Sequence, residues 1–160
     1  MDDSRSISII NGLIKTTLDS VHGYEDAAED TDTTRASFFR QMAQERSAVA
    51  SQLQAHVASM GGDPQESSGV AGAAHRTFMN IKQAIVGNDE QAIINEVERG
   101  EDHLKERYEE ALAEPDLPEY CRQAIEEAYA SVRRGHDQVS AMKHQMQQMS
   151  GSTSGSTTTY

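Results

Sequence analysis

Five side chains in this sequence interrupt or border apolar stripes, and they are of types that can do chemistry. Arg46 and Glu101 stand in stripe positions, while Glu25, Glu98 and His136 stand at stripe edges. Carboxylates and an imidazole converging inside a helical bundle, here Glu25, Glu98, Glu101 and His136, are suitable ligands for iron or manganese. The same residues can instead close a polar network. In that reading Arg46 and Glu101 form a buried ion bridge, with Glu25 and His136 hydrogen-bonded nearby. Such a bridge adds little net stability but can hold helices in register.

A complete dinuclear iron site needs a Glu-x-x-His on each of two helices and one more Glu from each of the other two. The pattern is not complete here. Arg133 stands three residues before His136, Ala48 three after Glu45 and Leu104 three after Glu101, and His103 falls on another helix face. His22 and Glu25, one turn apart, supply a His-x-x-Glu pair of the kind common in acidic helices. The incomplete ligand set favours the polar network and argues against a full oxidase centre.

Other reactive residues have plainer readings. Cys121 opens a stripe and reads as a buried thiol rather than a nucleophile. Met142, Met146 and Met149, interleaved with Gln145, Gln147 and Gln148, read as core trailing into solvent or as a surface for a protein partner. His75, His103 and His144 have no evident partner, and the charged run 106–110 is a solvated face with Tyr108 turned inward. Gly-rich phosphate loops, Ser/His/Asp arrangements and paired cysteines are absent.

Apolar residues spaced alternately three and four apart predict the helices that position these groups. A first helix starting after Ser4 or Ser6 carries Ile7, Ile10, Ile14, Thr17, Val21, Tyr24 and Ala28. After a polar break at 32–34, a second carries Phe39, Met42, Arg46, Val49, Leu53, His56 and Met60 until Gly61-Gly62-Asp63-Pro64 stops it. The short break makes these two antiparallel neighbours. A third helix over 68–86 uses Val70, Ala74, Phe78, Ile81 and Ile85; ~19 residues at ~1.5 Å each give nearly ~30 Å, enough to cross a bundle. A fourth over 89–113 shows Ile94, Val97, Glu101, Leu104, Tyr108 and Ala111, and a Pro-containing turn at 114–118 leads to the fifth. That last stripe is the longest, running Cys121, Ile125, Ala128, Val132, Gly135, Val139, Met142, Met146, Met149 without a slip. Residues 150–160 have almost nothing to bury and are expected to be a disordered Gly/Ser/Thr tail.

Hairpin, long crossover, hairpin is the layout of an all-α, ferritin-like up-down four-helix bundle, 1–149, with an additional crossover helix between the second and third core helices. Counting ~1.5 Å rises from a shared end places Glu25 ~7 Å in, Glu98 ~13 Å, and Arg46 and Glu101 together at ~18 Å. The same count puts His136 ~20 Å in, but pairing the last helix through its turn at 115–116, which fixes register better than a frayed end, puts it opposite Asn95 at ~9 Å.

Composition sets the outer limits. Low aromatic content and no Trp argue against a sheet protein of 160 residues. A net charge of −12 argues against nucleic acid and anionic membrane surfaces as partners. A single cysteine excludes an intrachain disulfide, the start of the chain lacks a signal-peptide pattern, and no apolar run reaches the ~20 residues of a membrane span. The expectation is a soluble, cytoplasmic protein.

Gly23 and Glu25, the segment 53–66 with its Gly-Gly-Asp-Pro break, Glu98-Arg99-Gly100-Glu101-Asp102 and His136-Asp137 recur in this order across 6–147. In this the chain resembles a bacterial four-helix-bundle family of unknown function (domain of unknown function 2383) in the ferritin-like superfamily. The resemblance implies a ferritin-like bundle, found singly or beside stress-related domains, and no established catalytic residue. Superfamily iron chemistry carries over only to Glu25, Glu98 or Glu101, and His136. The expected function is a non-enzymatic structural or stress-associated bundle, able to form a homo-oligomer and needing no cofactor. The alternative is a mononuclear or degenerate dinuclear iron or manganese protein with redox activity.

Overall fold

The computed structural model describes residues 1–29, 33–67, 81–87 and 89–154. Among these residues five helices follow in order: α1 (Asp3–Glu29), α2 (Thr33–Ser59), α3 (Ile81–Val86), α4 (Glu90–Leu112) and α5 (Glu119–Ser154). No strand occurs among the described residues.

Local chemistry sets the helix ends. α1 begins earlier than Ser4 or Ser6 would place it, because the Asp2 carboxylate accepts from the Arg5 amide at 2.8 Å and does the capping. Gly61, at φ 79°, ends α2 in the left-handed region that glycine tolerates. The Gly62 amide reaches back to the Val57 carbonyl and the Gly61 amide to that of Ala58, both at 3.0 Å, a Schellman motif. Asp89 caps α4 by accepting from the Gln91 and Ala92 amides. The Pro118 carbonyl accepts from Cys121 and Arg122 and so opens α5. α5 continues past Met149 to Ser154. Residues 155–160 of the expected tail, and 68–80 of the expected third helix with Val70, Ala74 and Phe78, lie outside the described residues.

Contacts along the helices give their directions. Tyr24 meets Phe39, and Asn11 bonds to Asp63 and Gln65, so α1 and α2 are antiparallel. Arg5 pairs with Glu114, Thr17 with Tyr108 and Tyr24 with Glu101, so α1 and α4 are antiparallel too. α2 and α4 therefore run the same way. Arg122 bonds to Leu112 and Lys143 to Glu98, which makes α5 antiparallel to α4. α1 packs on α2 and α4, and α5 packs on α4 and α2, a closed square of four long helices. The chain leaves one end of this square after residue 67. It is described again at the other end, where Ile81 of α3 is buried among Val21, Tyr24, Phe39, Ile93 and Ile94.

The interior is two apolar clusters with a polar layer between them. Below lie residues such as Ile10, Ile14, Val49, Leu53, Leu104, Tyr108, Ile125 and Val132. Above lie Val21, Tyr24, Phe39, Met42, Ile94, Val97 and Val139. Reading along each helix, the gap falls at Thr17 and Ser20 on α1, Arg46 on α2, Glu101 on α4 and Gly135 on α5.

Candidate functional site

The polar layer is where charge enters the core, and each of the four long helices contributes to it. Arg46 is 1% exposed and Glu101 0%, so both groups have lost nearly all water contact. The Arg46 Nη2 donates to Glu101 Oε2 at 2.6 Å and to the Val132 carbonyl at 3.3 Å. The other carboxylate oxygen, Oε1, accepts from the Tyr24 hydroxyl. The guanidinium also lies 5.8 Å from the centre of the Tyr24 ring, within reach of its π face. Two turns further down, Thr17 and Tyr108 share a hydrogen bond of 2.8 Å, and the Thr17 hydroxyl donates to the Leu13 carbonyl at 2.7 Å.

Room for this cation comes from a missing side chain. A Cβ added at Gly135 would sit 2.5 Å from Arg46 Nη2 and 2.7 Å from the Met42 methyl. Gly135 is therefore the hole into which the guanidinium fits. Arg46 Nη1 has no hydrogen-bond partner among the described residues.

Electrostatics follow from burial. Burial opposes the Arg46 charge, but Glu101, with the Tyr24 and Tyr108 hydroxyls, outweighs it and holds the guanidinium above its ordinary range. Burial raises Tyr24 well above the usual tyrosine value, and the neighbouring Glu101 charge raises it further. Burial pushes Tyr108 up to about 12. Both phenols are thus held as neutral hydrogen-bonding groups.

The bridge expected between Arg46 and Glu101 is present, and its members sit at one height as the rise count placed them. The companions proposed for it do not join. Glu25 is more than half exposed and lies 3.6 Å from His22 on its own helix. Glu98 takes Lys143 at 2.8 Å across the α4–α5 seam. His136 Nε2 meets Asp102 Oδ1 at 2.6 Å, also across that seam. Each edge residue pairs outside the layer, though His136 Nδ1, 3.6 Å from Asp137, makes no hydrogen bond among the described residues, and among those residues no three His, Cys, Asp or Glu side chains gather to hold a metal ion.

Sequence reasoning missed Tyr24 and Gly135 as members of the layer, and Asp102 and Lys143 as the partners of the edge residues. Tyr24 read as plain stripe, but its position two turns from Thr17 on the same helix face was a usable signal. Gly135 carried a clearer one: a glycine inside an unbroken apolar stripe leaves a gap that something large must fill.

The family model described as Domain of unknown function (DUF2383) matches residues 5–114, more than half of the chain. A comparison with curated proteins gave no match.

Proposed function

This chain belongs to the family of Domain of unknown function DUF2383, and from that premise we propose that it is a non-enzymatic, ferritin-like structural bundle. In this reading an arginine–carboxylate–tyrosine network occupies the mid-bundle position where a metal-binding relative would hold ligands. One observation carries it: both oxygens of Glu101 are already engaged, by Tyr24 and by Arg46. A cation would have to displace a buried guanidinium to reach that carboxylate, and like charge opposes the approach. The parallel run of α2 and α4 supports a connection that spans the bundle, as a crossover helix would. The family resemblance supports a stress-associated setting, alone or beside another domain.

Metal analysis of protein purified without chelator tests this. The expected result is iron and manganese well below one per chain, unaltered by His136→Ala. Stoichiometric iron or manganese that is lost in His136→Ala would replace the structural reading with a metal-centred one built on Glu25, Glu98, Glu101 and His136.

A further inference from the structure

At the end of the bundle where α2 stops and α5 begins, two sulfur donors meet away from the polar layer, and an imidazole stands one helical turn from one of them. Cys121, fully buried, has its Sγ 3.8 Å from the Sδ of Met60. His56 stands one turn before Met60 on the same face of α2. Its Nε2 is shielded from solvent and has no hydrogen-bond partner among the described residues. Its ring centre is 6.0 Å from that of Tyr120, the residue before Cys121. A buried ring nitrogen left without a partner is costly, and a native fold keeps one for a reason.

The donor types select the ligand. A thiolate, a thioether and an imidazole form a soft set, suited to copper(I) and poorly matched to magnesium, calcium or manganese. Asp3, the carboxylate that acts on Cys121, is engaged by the Tyr120 hydroxyl at 2.8 Å. We propose that His56, Met60 and Cys121 together bind one copper(I) ion. Met60 and His56 are half-buried, so the sulfur pair lies one side chain below the surface. Burial holds the Cys121 thiol above its ordinary range, against the Ser6 and Tyr120 hydroxyls, whose hydrogen bonds pull it down. Binding must therefore displace the proton. The S–H bond breaks, a copper–sulfur bond forms and one proton leaves to solvent for each ion taken up. No electron is transferred, because the metal arrives already reduced. The site is independent of the proposed structural role, since it shares no residue with the Arg46–Glu101 layer, and Cys121 lies beyond the matched segment 5–114.

The test uses the full chain under anaerobic conditions with ascorbate, titrated against the coloured copper(I)–bicinchoninate complex. The expected result is loss of colour equivalent to one copper(I) per chain, with a new ultraviolet thiolate-to-copper absorption and release of one proton. Cys121→Ser should abolish the absorption band and the transfer. Met60→Leu conserves volume. It and His56→Gln should each weaken uptake by at least ~10-fold, which is what loss of even an outer partner costs a metal site. Circular dichroism verifies the fold of each variant, and should Cys121→Ser not fold, the other two variants decide. No transfer to the native chain would overturn the proposal. So would transfer unchanged in Cys121→Ser, in both Met60→Leu and His56→Gln, or zinc(II) held more tightly than copper(I).

Discussion

Arg46 and Glu101 show what a charge in a core is for and what it risks. Removing one partner strands the other, so Arg46→Ala is expected to destabilise the protein by ~3–5 kcal/mol in urea unfolding. Replacing both with apolar residues, as in Arg46→Met with Glu101→Leu, should recover most of that loss. If the double variant is as unstable as Arg46→Ala alone, the two residues are not acting as a pair. Gly135→Ala places a methyl 2.5 Å from the guanidinium, and the overpacking is expected to cost ~1–3 kcal/mol. The same change should cost less once Arg46 is Met, with the Met42 methyl at 2.7 Å the remaining close contact, and a double-mutant cycle measures the difference. Tyr108 gives a pH signature. Its folded value of about 12 exceeds the ordinary 10.0, so the unfolded chain loses this proton first as pH rises. Stability from this group is therefore complete below pH ~10 and drains away as pH climbs through ~12. Tyr24, raised by burial and by Glu101, acts in the same direction. Absorbance at alkaline pH should show both phenols ionising only with unfolding, and Tyr108→Phe should flatten the alkaline loss. The bridge itself was legible in sequence, because charged residues placed squarely in two stripes at equal height must meet. Glu25, Glu98 and His136 were not, because a residue at a stripe edge can pair on its own helix, as Glu25 does with His22, or across a seam, as Glu98 does with Lys143 and His136 with Asp102, and spacing alone does not say which.

At the level of elements the stripes read well. All six apolar-stripe positions of α4 and those of α5 from Cys121 to Val139 are buried, while Met142 and Met146 are half-buried and Met149 is 70% exposed. The α5 stripe thus fades because its neighbours end, a tertiary fact that periodicity cannot carry. On α2 the stripe shifts by one residue near its end, where Val57 is buried and His56 is only half so. The approach to the Gly61 turn tilts that last face. The ends make their own predictions. Gly61→Ala forces a Cβ into the left-handed region at φ 79° and is expected to cost ~1–2 kcal/mol by thermal or urea unfolding. Asp89→Ala removes the acceptor for two amides and should cost ~1 kcal/mol. Asp89→Asn should keep most of that stability, since its amide oxygen can accept the same bonds.

For the whole molecule, a net charge of −12 sets a background of self-repulsion on every helix. Raising salt from ~0.01 M to ~0.15 M shortens the screening length from ~30 Å to ~8 Å, so the melting temperature is expected to rise. A fall would mean that surface pairs such as Arg35–Glu90, at 2.5 Å, outweigh the repulsion. Among the described residues no helix is long and apolar enough to cross a membrane. The helical class and the two-hairpin layout were legible because periodic stripes separated by turn residues leave few alternatives. The partner of each buried charge was not, because it depends on how the hairpins stack.

That stacking also governs time. The bonds of the polar layer join residues 55, 77 and 91 positions apart, whereas each hairpin closes through nearer contacts. Such a layer can form only after both halves have collapsed against each other, late on the folding route. Weakening it should leave the refolding rate almost unchanged and speed unfolding, so that the cost of losing Arg46 is read mainly as a shorter lifetime of the native state.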